Sequence, residues 1–236
     1  MTRRVYAPAL GLQSWQALLA DPEKHWVRGY SAFETAVCWE RGARTPRGIP
    51  AQLAEVCDKN ALWNGCVSVA SFPEHRVSLP GGSRASQTDV WTILRGPAGL
   101  LSLAVEGKAG ESFAQTVGEW RKDETDGKRR RLAYMQDLLG LAQPVDDALR
   151  YQLLHRTASA IIEAERIGAA AAAMVVLSFA SDEKSHEDYE RFAQAIRAVT
   201  NAGHLSRAEA VSRVPLFTTW LDVVPATDAE IASVAV

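Results

Sequence analysis

The sequence predicts an α/β fold, one mixed central β-sheet flanked by helices. Hydrophobic spacing is helical through residues 1–60, turns into short valine-rich runs between residues 66 and 107, then alternates between helical and strand-like periods. Residues 88–95 and 100–107 are separated by Gly96-Pro97-Ala98-Gly99, turn chemistry that closes a hairpin. A length of 236 residues suits a single domain, read here as residues 1–236 with a helical N-terminal part (1–60) and a core (61–236).

The elements follow in order. Leu12, Trp15, Leu18 and Leu19 space a helix over 12–20 that Asp21-Pro22 stops. Phe33, Val37 and Trp39 mark a helix over 31–40, and Pro50 opens one over 50–59. Residues 66–72 form an apolar strand, with 75–79 as a short extension and Pro80-Gly81-Gly82-Ser83 as a loop. The hairpin strands complete an antiparallel meander. Helices are expected over 112–122, 128–139 and 146–167, the last opened by Asp146-Asp147, which suit a helix N-terminus. A buried strand at 172–179, a helix at 186–199 and a strand at 216–224 close the chain. Trp39, Trp91 and Trp220 occupy core-like positions.

Composition excludes several classes. Hydrophobic residues at 47% and charged residues at 23% are globular values, not those of a disordered chain. A net charge of −2 gives no overall field for nucleic acid or membrane, though a local basic patch remains open. Cys38, Cys57 and Cys66 are odd in number and lack metal-binding spacing, which predicts reduced thiols and a cytoplasmic protein. The basic start Met1–Pro8 carries no apolar run long enough for a signal peptide. The alanine-rich run 167–181 falls short of the ~20 apolar residues that cross a bilayer, so no membrane partner is expected.

The chemistry-bearing stretch is Asp89 with Glu106-Gly107-Lys108. Glu106 and Lys108 alternate onto one strand face. A turn centred between residues 97 and 98 sets Asp89 opposite Glu106, with Cβ atoms about 4.5–5.5 Å apart. Two carboxylates and a lysine in one small volume suit Mg²⁺ or Mn²⁺, with Lys108 placed to orient or deprotonate an attacking water. Such a site would hydrolyse a phosphodiester. The alternative is a solvated acidic patch at a sheet edge. The apolar run before Glu106 argues against that reading, since the charged pair ends a buried strand.

The order helix, meander, helix, strand, with Asp89 and Glu106-Gly107-Lys108 on the hairpin, resembles the PD-(D/E)XK nuclease superfamily, whose fold is restriction-endonuclease-like. The resemblance runs from residue 31 to residue 179 and implies Mg²⁺-dependent cleavage of DNA, less often RNA. It implies that Asp89 and Glu106 bind metal and that Lys108 is the catalytic lysine. Thr88 stands where the motif's name has proline. The resemblance also suggests an acidic residue on the helix before the meander, here Glu34, as a further metal ligand. Ser31-x-x-Glu34 reads equally as a capping box. Gln152 resembles the first residue of a glutamine-led motif on the helix after the catalytic strand, although Arg156 replaces its closing tyrosine.

Arg156 shares a helix face with Gln152 and suits a phosphate fork or a surface ion pair. His155 reads as a helix-surface or interface residue. The basic run 128–131, containing Arg130, and Arg84 before the hairpin are candidate contacts to a nucleic-acid backbone, or solvated helix and loop ends. A homodimer is expected, with the alanine-rich segment and the tryptophans as interface or as core. The competing reading is a non-catalytic member of the same fold that binds nucleic acid or a protein partner.

Overall fold

The computed structural model describes residues 11–180, 183–211 and 213–234; the basic start Met1–Pro8 lies outside them. It confirms an α/β chain organised on one mixed six-stranded sheet. Strands β1 (Val67–Val77), β2 (Ser86–Gly96), β3 (Gly99–Lys108), β4 (Ala171–Ser178), β5 (Ser206–Arg207) and β6 (Leu216–Asp222) are arranged β1-β2-β3-β4-β6-β5. The first three form the antiparallel meander, β3, β4 and β6 run parallel, and β5 returns antiparallel. Sheet and helices enclose two cores. One lies under α3 (Ser31–Ala43) and α4 (Ala51–Asp58), around Trp39, Trp63, Leu103 and Val175. The other lies under α6 (Asp126–Leu139), α7 (Tyr151–Ile167) and α8 (Glu183–Ala195), around Met135, Leu154, Met174 and Phe192.

Several boundaries differ from those expected, each for a local reason. α1 (Leu12–Gln16) ends at Ala17, short of the expected stop at Asp21-Pro22, and that pair instead starts a second helix, α2 (Pro22–His25). The Asp21 carboxylate accepts the Lys24 amide, and Pro22 fills the first helical position, where a missing N–H costs nothing. β1 runs unbroken through Pro73, which the sheet tolerates because β1 is an edge strand. The expected helix over 112–122 shrinks to α5 (Val117–Trp120), held by a capping box between Thr116 and Glu119. Ala114 before it has φ 55°, outside a right-handed helix. The helix expected to open at Asp146-Asp147 starts instead at Tyr151, since Thr116 and Arg150 form a bridge that keeps 150 extended. β5 and α9 (Asp228–Val234) carry no periodic signal long enough to read. Of the alanine tract 169–173, residues 171–173 are fully buried in β4 as core, and Ala169 and Ala170 are partly buried beside it.

Gly107 fixes how α3 seats on the sheet. A Cβ there would overlap Thr35 Oγ1 and approach Asp89 Oδ2 at 3.4 Å. Gly107→Ala is expected to destabilise the protein by about 1–3 kcal/mol, the cost of overpacking. Thr35→Ala in the same chain removes the oxygen that Cβ would meet. Urea unfolding of the single and double variants tests this. A double variant no more stable than Gly107→Ala would place the clash elsewhere.

Candidate active site

The hairpin register sets the site. Val90 pairs with Val105 and Gly96 with Gly99, so the same register continued by one residue sets Asp89 against Glu106. On the other side of β2, Pro73 pairs with Val90 and His75 with Thr88, which sets Glu74 against Asp89. Three carboxylates therefore form a row across β1, β2 and β3 and line one cavity. Glu74 has φ 51°, a left-handed conformation in mid-strand. Side-chain alternation breaks there. Glu74 faces the cavity, while its neighbour His75 stacks on Trp91 at 4.6 Å and meets Glu163 of α7 at 3.1 Å. Strain of this kind costs on the order of 1–3 kcal/mol and persists only where the surroundings enforce it.

Helix α7 closes the row from above. Lys108 Nζ donates to Glu106 Oε1 at 3.0 Å and to Gln152 Oε1 at 3.2 Å. Gln152 Nε2 donates to the same Glu106 oxygen, and Arg156 Nε donates to Glu106 Oε2 at 2.7 Å. Lys108 also lies 4.8 Å from the centre of the buried Phe113 ring, a cation–π contact. The Gly107 amide donates to Asp89 Oδ2 at 2.7 Å. The spacing of Gln152 and Arg156, one helical turn apart, thus serves a single carboxylate.

The charges in this row divide unevenly. Burial pushes the Glu106 carboxyl up, but Arg156 and Lys108 outweigh it and hold the group below the usual carboxylate range. Arg156 is raised: burial works against its charge, and Glu106, Asp89 and Glu74 more than restore it. Asp89 is pushed well up, by burial first and then by the charges of Glu106 and Glu74. Glu74 rises to about 7, again chiefly through burial, although Gln87 Nε2 donates to it at 2.6 Å. His155, expected at the helix surface, is partly buried beside Ser86; burial lowers it to about 3, so the imidazole is neutral.

Glu74 gives a pH signature. A carboxyl raised from 4.5 in the unfolded chain to about 7 in the fold favours folding below its unfolded value and loses that contribution as pH rises through 7. Relative to Glu74→Gln, wild type is expected to lose thermal stability between about pH 5 and about pH 8. Thermal melts of both proteins across that range check it. Parallel curves would mean that Glu74 titrates normally.

The remaining expected site residues lie elsewhere. Glu34 is buried outside this cavity, in a small separate one beside Cys38 and Phe179. Its Oε1 accepts the Gly29 amide at 2.9 Å and its Oε2 the Ala226 amide at 3.3 Å, so both oxygens hold backbone and neither faces Asp89. The Ser31 capping box is also absent, because Tyr30 is the capping residue and Ser31 already lies within the helix. Arg84 and Arg130 are exposed and do not line the cavity. Glu74 and Gln87 are the residues beside Asp89 in this cavity that the sequence did not reveal. The signal for them was the β1 register, which Pro73 obscured.

Among the described residues, no three His, Cys, Asp or Glu side chains are arranged to hold a metal ion by themselves. The donor set nevertheless fits Mg²⁺, which takes one or two carboxylates and keeps waters or a substrate phosphate for the rest. Asp89 supplies a hard oxygen beside Glu106, in a cavity where neighbouring anions already oppose its charge. The cavity measures about 720 Å³ and lies at the carboxyl end of β3, where Glu106, Lys108 and the residues just after them line it. Ligands of open α/β sheets bind at such ends. No described helix is long and apolar enough to cross a membrane.

No curated protein and no solved structure matches this chain. A family pattern does match, over residues 8–224, and the chain belongs to that family, DUF6946, a domain of unknown function.

Proposed function

We propose that this protein hydrolyses phosphodiester bonds in nucleic acid, DNA before RNA, at a PD-(D/E)XK-type site. The observation that carries the reading is the convergence of Asp89, Glu106, Lys108, Gln152 and Arg156 on one cavity at the end of a hairpin. Asp89 and Glu106 would hold Mg²⁺ or Mn²⁺, which supplies Lewis-acid polarisation of a phosphate oxygen and of water. Lys108 Nζ, a donor in the structure, stands where it can orient the attacking water or steady charge developing on phosphorus. Gln152 holds that amine in place. Arg156 neutralises Glu106 and, at the cavity wall, suits a substrate phosphate. Three free, buried cysteines suit a cytoplasmic setting. The expected homodimer keeps no support from the alanine tract.

A second reading has one observation in its favour. Glu106 already accepts hydrogen bonds from Lys108, Gln152 and Arg156, so its charge is balanced without a cation. That suits a non-catalytic module binding nucleic acid or a protein.

The test is calorimetric titration with Mn²⁺ alongside cleavage of single-stranded DNA, duplex DNA and RNA. The nuclease reading expects Mn²⁺ binding that Asp89→Asn weakens, and cleavage in Mg²⁺ or Mn²⁺ that Ca²⁺ does not support. No Mn²⁺ binding and no cleavage would favour the non-catalytic module.

A further inference from the structure

The chemistry proposed above leaves one wall of the cavity without a role. Residues 19–32, in and around α2 and the start of α3, line the same space as the carboxylate row. Three of their side chains stand out. Lys24, His25 and Tyr30 are exposed, line the cavity and hydrogen-bond through their side chains to no described residue. Tyr30 is 53% exposed, unusual for a large ring beside a buried charged cluster.

This wall is tied down. Glu34 accepts the Gly29 amide with one oxygen and the Ala226 amide with the other. Arg28 pairs with Asp228. Trp26 packs edge-on against Phe33 at 5.2 Å, and Trp15 Nε1 donates to the buried Glu40 at 2.9 Å. The wall is thus anchored to α3, to the segment before α9 and to the first residue of α9.

A volume of about 720 Å³ between the two walls falls within the roughly 300–1,000 Å³ of sites that enclose one small-molecule-sized group. A nucleotide is of that size. A base-paired duplex brings two strands together and cannot enter without moving a wall.

Resting on the phosphodiester reading, we propose that the cavity is a single-strand site. It takes one nucleotide of an unpaired strand. The Tyr30 ring stacks on a base, and Lys24 and His25 face the phosphates on the side away from Arg156. Stacking on an aromatic ring tolerates any base, so recognition here would be of strand state and not of sequence.

The experiment measures binding of fluorescent oligonucleotides, single-stranded and duplex, of one sequence. Ca²⁺ is present so that cleavage does not interfere. Wild type is expected to bind the single strand at least about tenfold more tightly, and Tyr30→Ala to lose about tenfold of that affinity. Lys24→Ala is expected to weaken binding and to flatten its salt dependence. Unchanged thermal melts confirm that these surface variants fold. Equal affinity for duplex, no binding of either strand form, or full affinity in Tyr30→Ala overturns the inference. Cleavage of covalently closed duplex as fast as of a single strand also overturns it and leaves the nuclease reading standing. Single-strand binding that depends on Tyr30, without cleavage in Mn²⁺, supports the strand site and removes the nuclease.

Discussion

Arg156→Met is expected to destabilise the protein by about 3–5 kcal/mol, the usual cost of removing one partner from a buried ion pair. Arg156 Nε is the donor to Glu106 Oε2, and the Arg156 guanidinium is the first group that holds Glu106 charged. Without it, Lys108 and Gln152 still serve Oε1, while Oε2 is left buried with no charge opposite. Glu106 would then move up toward protonation, as Asp89 already has. The second arm of the test is Arg156→Met with Glu106→Gln. Removing both charges abolishes the stranded carboxylate, so the double variant should recover much of the loss. Denaturant unfolding of the four proteins gives the coupling energy directly. A double variant that loses the sum of the two single losses would mean that the pair is not coupled, despite its 2.7 Å contact.

On the nuclease reading proposed above, Lys108→Ala is expected to lower the cleavage rate by about 10²–10⁴-fold, the range for losing a positioned proton-transfer group. Its Nζ is held between Glu106 and Gln152 and over Phe113, so the amine is fixed before substrate arrives. Mn²⁺ affinity should not weaken, because the removed group is a cation beside the carboxylates and no ligand. Single-turnover cleavage and Mn²⁺ titration of the same preparations separate the two effects. A variant that cleaves like wild type would show that the activity comes from another protein in the preparation. A variant that loses Mn²⁺ along with cleavage would give Lys108 a structural part, holding Glu106 in place.

The legible parts of this site were those set by short-range rules. A tight turn fixes register, and register alone brought Asp89 opposite Glu106 and gave Lys108 the same face. The helical spacing of Gln152 and Arg156 similarly ensured that both reach one neighbour. Other features depend on contacts far along the chain. Glu34 sits at a helix start, where local chemistry offers a cap or a ligand, yet its partners are Gly29 and Ala226, the second 192 residues away. Glu74 was hidden because Pro73 breaks the pattern of a strand that the sheet edge tolerates. Exposed cations such as Arg84 and Arg130 carry no local sign of where they point, so their charge alone did not bring them to the cavity. The helix expected over 112–122 failed for a different reason: Phe113 is anchored under Lys108, and Ala114 turns the chain out of helical geometry.

The ties made by Glu34, Arg28 and Arg41 to Ala226, Asp228 and Glu230 also order events during synthesis. Residues 28–41 leave the ribosome well before their partners at 226–230. Until residues 226–230 emerge, the wall carrying Lys24 and Tyr30 lacks its long-range anchors. The sheet and α7 can assemble first, as chains fold in the order in which contacts become available. The cavity therefore gains its anchored wall only after residue 230 has emerged, so a ribosome-bound intermediate would have the carboxylate row with that wall still untied.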